Sequence, residues 1–247
     1  MFRCGPGMMQ ALSPQFYARA AGVLYLIEIA LAFAVNPVWS RLFGVGGHSV
    51  AAAQIVAPLS PWRLAVAGEV LTYVCYAAIA AMFYALLRPV NPILALLSAF
   101  FMLTHAAIGA TTVLARLAAV LLLSGSGDLA VIDPRQLQAM ASFALHLHNY
   151  GHDVGLVFFA FHCALLGYLI YRSGYLPKAF GVLFTLASIC LLTSSATDLL
   201  APAINAAIFP AIVLPLFLTQ LFFALWLTIM GVNVRKWPIG LDYTPAT

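Results

Sequence analysis

Residues 92–123 read PILALLSAFFMLTHAAIGATTVLARLAAVLLL, an apolar run whose ionisable members are His105 and Arg116. A helix needs about 20 apolar residues to cross a bilayer core of ~30 Å, and this run exceeds that length. A transmembrane strand would be nearer ten residues long, with alternating apolar and polar positions. The run therefore predicts a membrane-spanning α-helix.

The rest of the chain repeats this pattern. The 247-residue sequence is 64% hydrophobic and 7% charged, whereas about a quarter of the residues in a soluble domain are charged. The mean hydropathy of +1.02 agrees. We predict an all-α polytopic membrane protein, one domain over residues 1–247 that forms a bundle of six transmembrane helices. The predicted spans are residues 20–38, 63–87, 92–123, 138–171, 178–200 and 208–233.

The basic residues predict the orientation of these spans. Apart from Arg116, which lies within a span, seven fall on the side of the N-terminus and three on the other. The seven are Arg3, Arg19, Arg88, Arg172, Lys178, Arg235 and Lys236, and the three are Arg41, Arg63 and Arg135. Because cytoplasmic loops carry the excess of Lys and Arg, we predict a multi-pass inner-membrane protein with both termini in the cytoplasm. The net charge of +4 then reflects topology, and no nucleic-acid partner is predicted.

Several sequence signatures of chemistry are missing. The four cysteines, Cys4, Cys75, Cys163 and Cys190, have no paired spacing, so they form neither a disulfide framework nor a zinc motif. The sequence also lacks a Gly-x-Ser-x-Gly elbow, a phosphate-binding loop and a dinucleotide fingerprint. We therefore predict no cofactor, and the sequence leaves open whether the protein is an enzyme.

Several segments, in order along the chain, carry a family resemblance. The most specific one runs from Phe158-Phe-Ala-Phe-His162 through Gly167-Tyr-Leu-Ile-Tyr-Arg-Ser-Gly174 to Leu176-Pro-Lys178. Weaker matches are residues 18–27, 86–91, 121–125, 136–139 and 231–234. Together they resemble a bacterial family of six-helix inner-membrane proteins known only as a domain of unknown function. The resemblance implies the fold and no catalytic residues. Relatives often carry an acidic residue where this chain has Thr193-Ser194-Ser195.

A polar stretch interrupts the fourth apolar run. Residues 146–153 read HLHNYGHD and hold three histidines and an aspartate. The run from Leu137 to Tyr171 would measure about 52 Å as one helix at 1.5 Å per residue, which is longer than a bilayer core. We therefore expect a break near Gly151. That break would leave His146 and His148 on a short interfacial helix, solvated by water, while His152 and Asp153 enter the bundle.

Ionisable residues inside the predicted spans are the candidate site. Such residues are costly in lipid and generally face the bundle interior. The candidates for a polar cavity are Glu28, Glu69, His105, Arg116, His152, Asp153 and His162. Counted along their spans, Glu28, His105 and His162 fall near the midplane, and the others fall in the outer half.

Three interpretations of these residues stay open. In the leading one, an outward-facing polar cavity binds or transports a small molecule or ion, with Glu28 and His162 at its floor. In the second, the groups only hold helices together: Arg116 pairs with Glu69 or Asp153, and His105 bonds Glu28. Such a protein would be a structural or accessory membrane component.

The third interpretation is an intramembrane metal-dependent enzyme. His148 and His152 are four residues apart, which places them on one face of a continuous helix. Glu69 or Glu28 would complete the ligand set of a metal such as zinc. His105 and His162, at matching depth, are also candidates for axial haem ligands.

Overall fold

A computed structural model describes residues 13–43, 60–124, 127–209 and 211–237. These ranges are helical throughout, apart from turns, which confirms the predicted all-α class. The α-helices are α1 (Pro14–Phe43), α2 (Ser60–Leu87), α3 (Pro92–Ser124), α4 (Pro134–Ser173), α5 (Lys178–Leu200), α6 (Pro202–Ile208) and α7 (Leu214–Ile229). Five of them, α1 to α5, are long and apolar enough to cross a membrane.

The last predicted span differs from the structure. Residues 208–233 were expected to form one helix, but α7 covers only Leu214–Ile229, and the seven-residue α6 precedes it. Both helices carry proline in their first turn, Pro202 in α6 and Pro215 in α7. Proline has no backbone N–H, so it starts a helix rather than continuing one. Beyond α7, Gly231 has a φ of 67°, a left-handed conformation that ends the helix and that glycine adopts without strain.

Four chain segments meet at one end of the bundle, which we call the hairpin face. Gln15 donates its side-chain amide to the carbonyl of Met230 at 3.0 Å and accepts a bond from the backbone N–H of Val232 at 3.0 Å. Tyr175, in the α4–α5 turn, donates its hydroxyl to the carbonyl of Leu86 at 2.6 Å. Burial raises the pKa of this hydroxyl, so it remains a donor at neutral pH. The start of α1 and the end of α7 therefore lie on the same side of the bundle.

The opposite end, which we call the loop face, holds the ends of α1 and α3 and the starts of α2 and α4. Between the two faces, the helices bury a core that includes Tyr25, Phe159, Phe184 and Phe223, each at most 2% exposed. Many large apolar side chains point outward instead, Phe33 and Ile93 among them, at 63% and 76% exposed. Because the long helices present apolar surface on the outside as well, the chain contacts the lipid bilayer as a multi-pass membrane protein.

The break expected near Gly151 was wrong. Helix α4 runs without interruption over 40 residues, from Pro134 to Ser173. Asp133 caps its start by accepting from the N–H of Arg135, and Gly174 ends it with a φ of 71°. Gly151 serves packing instead, since a Cβ atom there would lie 2.5 Å from the methyl group of Thr112 on α3. The length of α4 reflects a helix that extends beyond the bilayer core, and the glycine lets α3 and α4 approach closely.

Candidate functional site

An ion pair lies between α2 and α3 in the half of the bundle near the loop face. Arg116 donates to Glu69 at 2.8 Å between Nη1 and Oε1, and the two side chains are 19% and 10% exposed. The guanidinium also lies over the ring of Trp39, 4.9 Å from its centroid. Of the two partners expected for Arg116, the structure selects Glu69 rather than Asp153. The second carboxylate oxygen of Glu69, Oε2, is buried and has no hydrogen-bond partner among the described residues.

His148 adjoins this ion pair and is buried, not solvated as expected. Its Nδ1 lies 2.9 Å from the carbonyl oxygen of Thr112, which can only accept, so Nδ1 carries the proton. In the neutral ring the other nitrogen, Nε2, then holds a lone pair, and it lies 4.0 Å from Oε1 of Glu69. Two hydrogen-bond acceptors thus face each other. The continuous helix causes this placement, because it turns residue 148 inward toward α3.

His152 follows His148 by one helical turn and presents its ring on the same face. The two rings are stacked, with centroids 6.3 Å apart and planes inclined by 13°. His152 also contacts His105 on α3, at a centroid distance of 6.3 Å. The three histidines therefore form one group that joins α3 to α4.

His105 is 2% exposed and sits among aromatic rings. Its centroid lies 4.8 Å from that of Phe159, 5.3 Å from that of Tyr76 and 6.2 Å from that of Tyr73. Its Nδ1 is buried without a hydrogen-bond partner in the described part of the chain. We call Glu69, His105, Arg116, His148 and His152 the Glu69 cluster.

Glu28 lies apart from that cluster, in the middle of α1. It is 6% exposed, and its Oε1 accepts a hydrogen bond of 2.8 Å from the hydroxyl of Tyr76. The expected bond from His105 to Glu28 was wrong, because Tyr76 occupies the position between them. Tyr76 therefore links the two sites. Its hydroxyl bonds Glu28, and its ring contacts His105 of the Glu69 cluster.

His162 belongs to neither group. It is fully buried, and its Nδ1 lies 2.9 Å from the hydroxyl and 3.0 Å from the carbonyl oxygen of Ser98. The ring of Phe159 contacts both His105 and His162, at centroid distances of 4.8 and 5.6 Å. An aromatic side chain thus fills the space that two axial haem ligands would share, and the residues present do not fit a haem.

Asp153 points away from the Glu69 cluster and toward α5. Its carboxyl group contacts that of Asp198, and Asp198 accepts a bond of 2.6 Å from the side-chain amide of Asn205 on α6. His146 lies 2.9 Å from the carbonyl oxygen of Ser142, on its own helix. Of the seven cavity candidates, the structure therefore brings together Glu69, His105, Arg116 and His152.

Metal ligation was the third interpretation of these histidines. The unbroken α4 gives His148 and His152 the shared face that a metal site requires. However, within the described ranges no group of three or more His, Cys, Asp and Glu side chains has a geometry that could hold a metal ion. The arrangement instead offers hydrogen-bond acceptors beside a fixed ion pair.

Sequence reasoning missed two tyrosines and one backbone carbonyl of this region. Tyr73 and Tyr76 follow Glu69 by four and seven residues, a spacing that places all three on one face of α2. That spacing was a usable signal. The part played by Thr112 had none, because any residue at that position would present the same carbonyl oxygen to His148.

Comparison with known proteins covers nearly the whole bundle. A family model described as "Domain of unknown function (DUF4386)" matches residues 20–231. The chain belongs to this family. The DUF4386 match includes every residue of the Glu69 cluster and Glu28.

A relative from an archaeon is similar over about three quarters of the chain. An uncharacterized protein of Archaeoglobus fulgidus is 28% identical over 188 residues, which cover 76% of this chain and 96% of that protein. No solved structure matches the chain. The chain is thus an integral membrane protein of unknown function, in a family whose description assigns it no activity.

Proposed function

We propose that this protein binds a small hydrogen-bond-donating solute or ion in the Glu69 cluster and transports it across the membrane. We also propose that the hairpin face is cytoplasmic, the loop face is outside, and the membrane is the bacterial inner membrane. The observation that carries the proposal is the pair of facing acceptors, Nε2 of His148 and the carboxylate of Glu69.

Energetics favours a ligand over a purely structural role. An ion pair alone would be complete with Arg116 and Glu69, and neutral histidines would add nothing to it. A buried polar atom without a partner costs about 1–3 kcal/mol, and Oε2 of Glu69 is such an atom. A ligand that donates one hydrogen bond to Oε2 of Glu69 and another to Nε2 of His148 would remove that cost. Because Arg116 already balances the charge of the Glu69 carboxylate, a hydrogen-bond donor with little or no net charge fits best.

The position of the cluster supports access from the loop face. Arg116 lies eight residues before the end of α3 at Ser124, and Glu69 lies nine residues after the start of α2 at Ser60. At 1.5 Å per residue both are about 12–14 Å from that face. His152 is only half-buried. His152 lies deeper, 18 residues after the start of α4, so a solute entering from the loop face would meet Arg116 and Glu69 before it reaches His152.

Cysteine labelling tests both the access and the orientation. In a background with the four native cysteines replaced, His152→Cys is compared with Met102→Cys in the core and Arg135→Cys at the start of α4. Intact cells receive a membrane-impermeant maleimide. We expect labelling at positions 152 and 135 and none at position 102.

Two outcomes would contradict the proposal in different ways. Protection of position 152 while position 135 reacts would mean that the cluster is sealed from water. If Arg135→Cys stays unlabelled while Arg172→Cys, near the hairpin face, reacts from outside, the orientation is inverted.

A further inference from the structure

Glu28 lies at a depth in the bundle where a charged carboxylate is costly. It is the fifteenth residue of the 30-residue α1, between Pro14 and Phe43, so it lies about 21 Å from either end of the helix. That depth corresponds to the middle of the bilayer. A charged side chain is most costly there.

No cation compensates Glu28 among the described residues. Its hydrogen-bond partner is the neutral hydroxyl of Tyr76, and the ion pairs of the described chain involve Glu69 instead. The titratable groups around it are tyrosines and cysteines, whose ordinary pKa values of about 10 and 8.5 leave them neutral at pH 7: Tyr25 on α1, Tyr73, Cys75 and Tyr76 on α2, and Cys163 on α4 next to Tyr25. Helix α7, which packs against α1, contains no ionisable residue. Glu28 therefore requires a cation of its own.

The surroundings fit a proton rather than a metal ion. Hard metal cations take about six oxygen ligands in proteins. Helix α1 is continuous through Glu28, so its carbonyl groups are engaged in helical hydrogen bonds and do not turn toward the carboxylate. The oxygen that the structure brings to Glu28 is the hydroxyl of Tyr76. A single hydroxyl serves a protonated carboxyl group well and a metal ion poorly.

Proton-carrying side chains connect Glu28 to the Glu69 cluster. The hydroxyl of Tyr76 is 2.8 Å from Glu28, and the ring of Tyr76 is 5.3 Å from that of His105 between centroids. His105 to His152 and His152 to His148 are each 6.3 Å between centroids. His148 ends the series 4.0 Å from Glu69. The three contacts between rings are centroid distances longer than a hydrogen bond, so proton transfer across them requires a ring rotation or a bridging water.

We propose that Glu28 binds a proton at the membrane midplane and exchanges it with the Glu69 cluster through Tyr76, His105, His152 and His148. Each transfer moves one proton from an O–H or N–H group to the next lone pair and leaves every heavy-atom bond unchanged. The proposal rests on the proposed function, in which the Glu69 cluster is the entrance from outside. Transport by this protein is then coupled to a proton.

Infrared spectroscopy of the full-length protein in lipid nanodiscs tests this without knowledge of the solute. A protonated carboxyl group absorbs apart from a carboxylate, and Glu28→Gln should remove one such band at neutral pH. Asp153→Asn is the matched control, since it alters the other carboxyl contact and should leave the Glu28 band in place. An unchanged spectrum in Glu28→Gln would overturn proton binding at Glu28.

The relay is tested by exchange of the Glu28 proton for deuterium after a switch to heavy water. Tyr76→Phe keeps the ring and deletes the hydroxyl, so we expect exchange to slow by about tenfold or more. Ser98→Ala, beside His162, should exchange like the unmodified protein. Equal rates in Tyr76→Phe and the unmodified protein would overturn the relay. Neither result depends on labelling at position 152, so a failure here is distinguishable from a failure of the proposed function.

Discussion

Two buried glutamates in this bundle have partners of different kinds. Glu69 and Glu28 are 8% and 6% exposed, yet Glu69 has the guanidinium of Arg116 at 2.8 Å, and Glu28 has only the hydroxyl of Tyr76. Low exposure alone therefore does not determine the charge state of a carboxyl group. The identity of the partner does, because a full counter-charge offsets desolvation and a neutral hydroxyl does so only in part.

Depth explains why the two partners differ. Arg116 lies within two helical turns or so of the loop face and rests on Trp39, so its charge is near water. At the depth of Glu28, an arginine would be as costly as the carboxylate itself. A proton neutralises the carboxyl group without adding a second buried charge. The ion pair therefore lies near the loop face, and the proton proposed for Glu28 would need no counter-charge at mid-helix.

The largest effect should come from removing the counter-charge of Glu69. Arg116→Met leaves a buried carboxylate unpaired, and breaking a buried pair in this way costs about 3–5 kcal/mol. We expect a loss of about 3 kcal/mol, at the lower end because Arg116 is 19% exposed. Thermal unfolding in a mild detergent would measure it as a large fall in Tm.

Two further variants sharpen the contrast between the glutamates. The double variant Arg116→Met with Glu69→Gln should recover most of the loss, because neither charge remains. Glu28→Gln should change stability by less than about 1 kcal/mol, since glutamine keeps the acceptor for Tyr76 and removes no ion pair. A fall in Tm for Glu28→Gln as large as that for Arg116→Met would mean that Glu28 is ionised and paired.

The fold was largely predictable because lipid imposes a simple rule on sequence. Long apolar runs gave the five long helices, since backbone groups in hydrocarbon must bond within their own helix. The region of residues 208–233 was harder, because proline positions rather than hydropathy decide where α7 starts. The expected break in α4 failed for a related reason. Gly151 weakens a helix locally, but close contact with Thr112 stabilises the helical conformation there.

The site was less predictable than the fold. Counting residues along each span correctly placed Glu69 and Arg116 at a similar depth, but depth does not say which way a side chain points. Asp153 follows His152 directly, yet the two face different helices, because consecutive residues are about 100° apart around a helix. Which residues pair across helices depends on how each helix is rotated about its own axis, and the sequence does not specify that rotation.

A smaller effect should follow from disturbing the Glu69 cluster indirectly, at the close contact between α3 and α4. Gly151→Val would place a side chain against Thr112, where even a Cβ atom would lie 2.5 Å from its methyl group. The helices must separate, which stretches the bond from His148 to the Thr112 carbonyl. Overpacking of this kind costs about 1–3 kcal/mol. We expect a moderate fall in Tm together with increased maleimide labelling of His152→Cys.

The Glu28 site is the control for Gly151→Val. The infrared band of Glu28 should keep its frequency in Gly151→Val, because Tyr76 and Glu28 lie on α2 and α1, away from the disturbed contact. A band that moves as far as it does in Tyr76→Phe would show that the two sites are one rigid unit. Gly174→Ala is a poor substitute control, because its φ of 71° strains any side chain.

The smallest effect should come from Ser98→Ala, which tests whether His162 matters to either glutamate. The Nδ1–H of His162 keeps its bond to the Ser98 carbonyl at 3.0 Å when the hydroxyl at 2.9 Å is deleted. One of two acceptors is lost, so we expect a change of about 0.5 kcal/mol. Labelling at position 152 and the Glu28 band should both stay as in the unmodified protein. A change in either one would place His162 in the same network, since Phe159 contacts both His162 and His105 and would transmit the shift.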